Sequence, residues 1–212
     1  KNNIMLDSRL RPFIDPYLEK IARQLVRLGC QANTLTVIGF VIGMLSMPLL
    51  TLHFYDWAAV CVVLNRLLDG LDGAVARESA PTEVGGYLDI VLDFIFYSAV
   101  VFSFALAQPE NAVYAAFLIF AFIGSGTTFL TFAIFAEKHL LFTSAQGSKS
   151  IYYLSGLVEG TETFITLLAM CLLPSYFWII ALFVGSLCWV STLFRIVHSI
   201  DVLKGHTPNQ TK

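Results

Sequence analysis

The chain has 212 residues, of which 57% are hydrophobic and only 13% charged, and its mean hydropathy is +0.73. Soluble globular domains carry about a quarter of charged residues, so this composition excludes an ordinary soluble protein. It predicts an integral membrane protein with one domain over residues 1–212. The formal net charge of −2 gives no sign of nucleic acid as a partner. The cysteines lie far apart with no C-x-x-C pair, which indicates neither a zinc site nor a disulfide framework; they are Cys30, Cys61, Cys171 and Cys188.

The first segment, residues 6–28, carries five basic residues, and its apolar residues recur at helical spacing. A basic amphipathic helix lies in the membrane interface, with its cations toward the lipid head groups. We therefore predict an N-terminal interfacial amphipathic helix on the cytoplasmic side. An ordinary solvated helix is the alternative.

Six apolar segments follow between residues 34 and 203, each near the roughly 20 residues that a helix needs to cross a bilayer. Most of the connections between them are short, and the longest covers residues 137–150. The sequence thus predicts an all-α membrane protein with six transmembrane helices. The predicted spans are Thr34–Phe54, Trp57–Arg77, Gly85–Ala107, Ala112–Ala136, Ile151–Leu173 and Tyr176–Leu203.

The basic residues give an orientation. If the N-terminus is inside, all 13 Lys and Arg fall in inner segments or in the inner half of a span, and the outer loops contain none. Cytoplasmic segments of membrane proteins carry an excess of Lys and Arg. This distribution predicts cytoplasmic N- and C-termini in a bacterial-type inner membrane.

Four aspartates interrupt the apolar pattern at the end of the second span and the start of the third. Asp69 and Asp72 are three residues apart and Asp89 and Asp93 are four apart, so each pair shares a helix face. Each charge inside an apolar span costs roughly 2.5–3.5 kcal/mol. Oxygen-rich clusters of this kind suit hard divalent cations, so the sequence predicts a metal site at the edge of the membrane, on its cytoplasmic side.

Ion pairing is the alternative explanation for these acids. Arg77 is the only basic residue between the first and the last aspartate, and Arg66 lies just before the first. Two arginines against four acids leave charge unmatched. Pairing alone therefore does not account for the cluster.

The residues around the aspartates form a longer pattern, which reads Asp69-x-x-Asp72-Gly73-x-x-Ala76-Arg77 and then Gly85-x-x-x-Asp89-x-x-x-Asp93. This pattern resembles the signature of the CDP-alcohol phosphotransferases, also called CDP-alcohol phosphatidyltransferases, which are integral membrane enzymes that make phospholipid head groups. All eight defining positions are filled, although seven residues separate the two halves where many members have eight.

The resemblance implies a transferase that moves a phosphatidyl group from CDP-diacylglycerol to a small alcohol and releases CMP. It implies that Asp69, Asp72, Asp89 and Asp93 bind Mg²⁺ or Mn²⁺, in two ions, and that Asp93 is also the general base for the acceptor hydroxyl. It further implies a homodimer in the membrane.

The resemblance also implies a nucleotide and diphosphate site. Asp69, Gly73, Ala76 and Gly85 would line it, and Arg77 would donate to phosphate oxygens. Each has a plainer explanation: helix–helix packing for the two small residues after Asp72, a flexible helix start for Gly85, and an interfacial cation for Arg77.

Asn33 and Thr36 extend this predicted site to the start of the first span. Members of the family often carry Pro-Asn-x-x-Thr there, but this chain has Ala32 in place of the proline. On spacing alone, Asn33 is better explained as a helix N-cap.

The acceptor site is less well defined by the sequence. An acceptor with a phosphate, such as glycerol 3-phosphate or inositol phosphate, needs a cationic pocket, and Lys138, Lys149 and Arg195 are its candidates. Our choice of acceptor is glycerol 3-phosphate. Singly, each cation is also explained as a membrane-boundary residue. Glu159 and Glu162 share a helix face and either pair with these cations or select a cationic acceptor.

Two other functions use intramembrane acids. A membrane prenyltransferase also holds a diphosphate with aspartates and Mg²⁺, but its acidic motifs usually lie in separate halves of a longer chain. A divalent-cation or proton-coupled transporter would spread its acids over several spans and show repeated halves. Metal-dependent release of CMP from CDP-diacylglycerol separates the transferase from both.

Overall fold

The computed structural model describes residues 6–138 and 160–205, with side chains from residue 15 to 138 and from 160 to 204. All regular secondary structure in this described part is helical, in agreement with the predicted all-α class. Short 3-10 turns at Pro109–Asn111 and Pro174–Tyr176 precede the helices that begin at Ala112 and Phe177. The helices are α1 Leu6–Arg27, α2 Ala32–Met44, α3 Ser46–Thr51, α4 Tyr55–Ser79, α5 Glu83–Ala107, α6 Ala112–Lys138, α7 Gly160–Leu172 and α8 Phe177–Gly205.

Four helical stretches are long and apolar enough to cross a membrane: Ala32–Thr51, Glu83–Ala107, Pro109–Lys138 and Pro174–Lys204. They coincide, within a few residues at each end, with the first, third, fourth and sixth predicted spans. A protein with these helices is an integral membrane protein.

The second and fifth predicted spans are not among these four stretches. α4 covers the second predicted span, but it carries too many charged residues to count as an apolar stretch. The described part of the fifth is the 13-residue helix α7, and residues 151–159 of that span lie outside the described residues. The number six therefore stays a prediction.

α1 is a helix, as predicted for residues 6–28, and it packs against α4. Ala22 is fully buried there, in a small apolar cluster with Ala74 and Val75 of α4. Leu18 and Leu25, which lie one turn either side of Ala22, pack against the same cluster. One face of α1 is thus bound to the bundle, while its location in the membrane interface stays a prediction.

The first apolar stretch is interrupted at Leu45, between α2 and α3. α2 ends at Met44, and Pro48 is the third residue of α3. A proline within a helix removes the hydrogen bond to the carbonyl four residues earlier, and its ring clashes with that carbonyl. The residue four before Pro48 is Met44, so the interruption lies where this effect acts.

A buried apolar core fills the half of the bundle away from the aspartates. Phe104 of α5 stacks on Phe177 of α8 with their ring centroids 4.5 Å apart, and Val62, Val100 and Leu118 are fully buried around them. The Asn65 amide donates to the Gly39 carbonyl at 3.1 Å and joins α4 to α2. This packing sets the relative positions of α4 and α5, which carry the acidic residues.

Candidate metal and nucleotide site

A three-residue connection sets the geometry of the candidate site. Residues 80–82 join α4 to α5, and Thr82 caps α5 by accepting the Gly85 N–H at 3.0 Å. Such a cap satisfies a backbone donor that the first helical turn leaves unpaired. Asp69 lies ten residues before the end of α4, and Asp93 lies ten residues after the start of α5. The tight turn therefore brings both aspartate pairs to one level.

Three of the four predicted carboxylates converge. One oxygen from each of Asp69, Asp89 and Asp93 lies within 4.8 Å of the other two. Asp72 is only 5% exposed, and its Oδ2 has no hydrogen-bond partner among the described residues. We call these four residues the aspartate cluster.

The donor set of the aspartate cluster fits a hard divalent cation. Mg²⁺ and Ca²⁺ take carboxylate oxygens at about 2.0–2.6 Å, and oxygens around one such ion stand within about 5 Å of one another. A buried carboxylate oxygen without a partner is costly, and a cation in contact with it removes that cost. The three grouped oxygens and the orphaned oxygen of Asp72 are both explained by a bound cation.

Two side chains outside the signature hold members of the aspartate cluster. Arg66 forms an ion pair with Asp69 Oδ2, and the Tyr97 hydroxyl donates to Asp93 Oδ2 at 2.6 Å. Ion pairing with Arg66, the alternative considered for the sequence, is therefore present. This ion pair involves one of the four aspartates, Asp69. Arg77 is exposed and folds back over Gly73, with Nη1 3.5 Å from the position that a Cβ on Gly73 would occupy.

Two cavities meet at the aspartate cluster. A narrow recess between α2, α4 and α5 contains all four carboxylates and is closed by Thr36, Gly39, Phe40, Asn65 and Leu92. A second cavity of about 600 Å³ opens beside it, between the α1–α2 turn, α4 and the start of α5. Thr36, Asp72 and Asp89 line both. A ligand in the larger cavity can therefore reach the acidic recess.

The larger cavity gathers most of the predicted nucleotide residues. It is lined by Asn33, Thr36, Gly73, Ala76 and Gly85. Of the other two, Asp69 lines the recess, and Arg77 lies next to Gly73 without lining the cavity. Residues that are distant in the sequence thus share one surface with the aspartate cluster.

The interpretation of Asn33 as a helix N-cap is wrong. Gln31 is the N-cap residue of α2 and makes no side-chain capping bond, so Asn33 is already the second helical residue. Its Oδ1 points across to α5, 2.7 Å from the position that a Cβ on Gly85 would occupy. A side chain at position 85 would therefore force the Asn33 amide to move.

The two predicted acceptor residues that the structure describes, Lys138 and Arg195, line neither cavity. Arg195 is 8% exposed; its Nη1 donates to the Ser125 carbonyl at 2.8 Å, and its Cζ lies 5.8 Å from the centroid of the Phe129 ring. We call Arg195 with Ser125, Thr128 and Phe129 the Arg195 cluster; it lies between α6 and α8. Lys138 is exposed at the end of α6, and Lys149 lies outside the described residues.

The two glutamates remain unassigned. Glu162 lies in the first turn of α7 with its side chain partly buried, and Glu159 lies outside the described residues. Their pairing with the basic residues stays a hypothesis.

Sequence reasoning missed Tyr97, Asn65 and Thr82. Tyr97 follows Asp93 by four residues and Asn65 precedes Asp69 by four, so helical spacing alone puts each pair on one face. Thr82 stands just before the acidic start of α5, as N-cap residues do. These signals were available, but a polar residue near a motif is common, and only the contacts select these three.

The chain is similar to known proteins over most of its length. The family profile described as CDP-alcohol phosphatidyltransferase matches residues 30–153. The chain is 49% identical to "Inner membrane protein YnjF" of Escherichia coli (strain K12), over 94% of this chain and 98% of that protein. It is 35% identical to the archaetidylinositol phosphate synthase of Pyrococcus horikoshii, over 47% of this chain and 53% of that protein.

Two solved structures share the fold. Both are of the Mycobacterium tuberculosis phosphatidylinositol phosphate synthase (PgsA1). One, with CDP-DAG bound, has a TM-score of 0.56 at 22% identity and covers 92% of this chain and 96% of that chain. The other, with manganese and citrate, has a TM-score of 0.61 at 20% identity and covers 92% of both chains.

The family match covers the whole eight-residue signature, and the 49% identity extends along nearly the full chain. The chain therefore belongs to the CDP-alcohol phosphatidyltransferase family and is a membrane-bound transferase of phospholipid biosynthesis.

Proposed function

We propose that this protein transfers a phosphatidyl group from CDP-diacylglycerol to a small alcohol and releases CMP, in a reaction that depends on a divalent metal. The observation that carries the proposal is the position of the aspartate cluster. Three of its carboxylate oxygens lie within 4.8 Å of one another, beside a cavity of about 600 Å³ lined by the residues of the nucleotide pattern. A diphosphate bridging the cavity and the recess would meet the acids through a shared cation.

The size and lining of the larger cavity support a nucleotide as its occupant. A volume of about 600 Å³ is within the range of small-molecule sites. Gly73, Ala76 and Gly85 keep the cavity open, since larger side chains on α4 and α5 would fill it. Arg77, whose guanidinium lies beside Gly73, can donate to phosphate oxygens, and the lipid tails of the donor would enter from the bilayer between helices.

The proposed reaction is a displacement at phosphorus. The acceptor hydroxyl attacks the phosphorus that carries the diacylglycerol, Asp93 takes its proton, and a new P–O bond forms. The P–O bond to CMP breaks, and CMP leaves with the electron pair. Asp93 lies in the recess, where it can meet an acceptor that approaches the donor diphosphate.

The metal would be held by Asp69, Asp72, Asp89 and Asp93, as two Mg²⁺ or Mn²⁺ ions. When bound, these ions would stabilise the negative charge on the phosphoryl oxygens and on the departing CMP. The mycobacterial enzyme was solved in complex with manganese, which supports a divalent ion as the metal of this chain.

Glycerol 3-phosphate is our proposed acceptor, and inositol phosphate is the second candidate. The second is favoured by the names of relatives, which include an archaetidylinositol phosphate synthase and a phosphatidylinositol phosphate synthase. Both acceptors carry a phosphate, for which Arg195, Lys138 and Lys149 would be the cationic partners.

The remaining features of the proposal concern the whole molecule. The basic residues support cytoplasmic termini and a cytoplasmic active site. The length of α4 and the helical part of the fifth segment support six spans, with α1 in the interface. We also propose that two copies form a homodimer, with all sites facing the same compartment.

The test is CMP release from CDP-diacylglycerol by the purified full-length protein in detergent. The assay compares a panel of alcohols, including glycerol 3-phosphate and inositol phosphate, in the presence of Mg²⁺ or Mn²⁺. We expect release with one phosphorylated acceptor, complete loss after chelation with EDTA, and recovery when the metal is restored. Release that survives chelation would refute the metal dependence.

Asp72→Asn is the matched variant for this test, since it keeps the shape of the side chain and removes its charge. We expect CMP release to fall sharply, because the buried carboxylate that faces both cavities would lose its affinity for the cation. Absence of CMP release from the wild-type protein with every acceptor would refute the proposed reaction.

A further inference from the structure

Tyr97 contacts the proposed general base directly, although it stands outside the family signature. Its hydroxyl donates to Asp93 Oδ2 at 2.6 Å, across one turn of α5. That distance is in the range of O–H···O⁻ bonds to an ionised carboxylate, about 2.5–2.7 Å. The contact is thus a strong one.

The ring of Tyr97 is held in place by the core. It packs against the main buried cluster, and its centroid lies 5.8 Å from that of Phe96 in a tilted arrangement. The position of the hydroxyl is therefore set by packing, and the hydroxyl in turn fixes one oxygen of Asp93. A carboxyl group without such a partner rotates freely about its last torsion.

The direction of this hydrogen bond has a consequence for the recess. The hydrogen bond holds Oδ2 of Asp93 and so restrains the orientation of the whole carboxylate, one oxygen of which lies within 4.8 Å of the oxygens of Asp69 and Asp89. Asp69 is held in the same way, because its Oδ2 is bound to Arg66. Residues outside the signature thus orient one carboxylate on α4 and one on α5.

We propose that Tyr97 is a positioning residue, which orients the Asp93 carboxylate toward the cation and the acceptor hydroxyl. The proposal rests on the proposed function only in its kinetic part, since the orientation of a metal ligand also determines how well the ion is bound. Residues that hydrogen-bond to a metal ligand, without contacting the metal themselves, typically contribute about 10- to 100-fold to metal affinity or activity.

The test uses Tyr97→Phe, which removes the hydroxyl and keeps the ring in the core. Mn²⁺ is titrated into the purified full-length protein, and free Mn²⁺ is measured by electron paramagnetic resonance. We expect the dissociation constant for Mn²⁺ to rise about tenfold or more. In the CMP-release assay we expect kcat to fall by a similar factor, while KM for CDP-diacylglycerol stays unchanged, because Tyr97 does not line the nucleotide cavity.

Tyr114→Phe is the control. Tyr114 also packs against the core, and its ring lies 6.1 Å from that of Trp178, far from the carboxylates in the sequence and at the other end of the bundle. We expect this variant to bind Mn²⁺ and turn over like the wild type. Equal losses in the two variants would show a general packing effect and overturn the proposal.

Two further outcomes are decisive. Wild-type Mn²⁺ affinity in Tyr97→Phe would overturn the positioning role, even if turnover fell through lost stability. If the wild-type protein released no CMP, the proposed reaction would fail, but the tenfold change in Mn²⁺ affinity would still support Tyr97 as the residue that orients Asp93.

Discussion

The aspartate cluster and the Arg195 cluster both place ionised groups among apolar helices, but they satisfy the charge in different ways. Arg195 finds its partners inside the protein: a carbonyl of α6 at 2.8 Å and the face of Phe129. The aspartate cluster gathers carboxylate oxygens within 4.8 Å and leaves Oδ2 of Asp72 without a partner among the described residues. Like charges at that separation repel one another.

The difference teaches which buried charges indicate a ligand. A cation that is hydrogen-bonded by the backbone and covered by an aromatic ring is stable without a ligand. Acids that face one another beside a cavity are harder to explain, because among the described residues the Arg66–Asp69 ion pair leaves the charge of the other acids unbalanced. The aspartate cluster is therefore the stronger evidence for a bound ion, and the substitutions of Asp93 and Arg195 below test the contrast.

Asp93→Asn should have the largest effect on turnover. The amide keeps the shape of the side chain but cannot take a proton from the acceptor, and general-base catalysis contributes about 10²–10⁴-fold. We expect kcat to fall by a factor in that range while nucleotide binding is mostly retained. The measurements are CMP release and equilibrium binding of CDP. Undiminished turnover would remove Asp93 from the role of base.

Arg195→Ala should have a smaller and more selective effect. A hydrogen bond to a charged group is worth about 1.5–3 kcal/mol, so KM for the phosphorylated acceptor should rise by about 10- to 100-fold. KM for CDP-diacylglycerol should change less, because Arg195 does not line the cavity proposed for the nucleotide. Steady-state kinetics with each substrate varied in turn measure both constants.

Lys204→Ala is the control for Arg195, since Lys204 is an exposed cation near the end of the same helix. It should leave both constants unchanged. If Arg195→Ala lowered only the thermal stability, or raised only KM for the lipid donor, Arg195 would be a packing residue of α6 and α8.

Gly126→Ala should have the smallest effect on turnover, because it acts on stability. A Cβ at position 126 would lie 2.5 Å from Cε1 and 2.8 Å from Cζ of Phe94, so the ring on α5 must move. Overpacking of this kind costs about 1–3 kcal/mol. We expect a lower thermal unfolding temperature in detergent, with turnover per folded molecule preserved.

Gly86→Ala provides the matched substitution, since a Cβ there has no atom within 4 Å. Alanine in an exposed helical position is favoured over glycine by about 0.5–1 kcal/mol. This variant should be as stable as the wild type or more so. Equal stability of the two variants would show that α5 and α6 pack less tightly than the Phe94 contact indicates.

The sequence predicted the part of the site that is local in the chain. Each aspartate pair follows from helical spacing, and their approach follows from a short turn between two apolar helices. The interruption before Pro48 and the direction of Asn33 were not predicted. The interruption depends on where one missing hydrogen bond falls, and the direction of Asn33 depends on how closely α2 approaches α5 at Gly85.

The hydrogen-bond and ion-pair partners of the aspartates were not predicted from the sequence, for a different reason. Arg66 was considered only as a neutralising charge, and Tyr97 was not considered, because helical spacing permits many contacts and tertiary packing selects one. The acceptor region was the least predictable. Its candidate cations come from helices far apart in the sequence, and their partners depend on how α6 and α8 pack.

The three-residue link between α4 and α5 has a consequence for biosynthesis. All four acids belong to a single helical hairpin, so their encounter closes a short loop and costs little chain entropy. The ribosome completes this hairpin before it has made α6, α7 or α8. The negative charge of the hairpin must therefore be buried before the later helices have been synthesised. A cation bound by the hairpin would help it to insert into the bilayer at that stage.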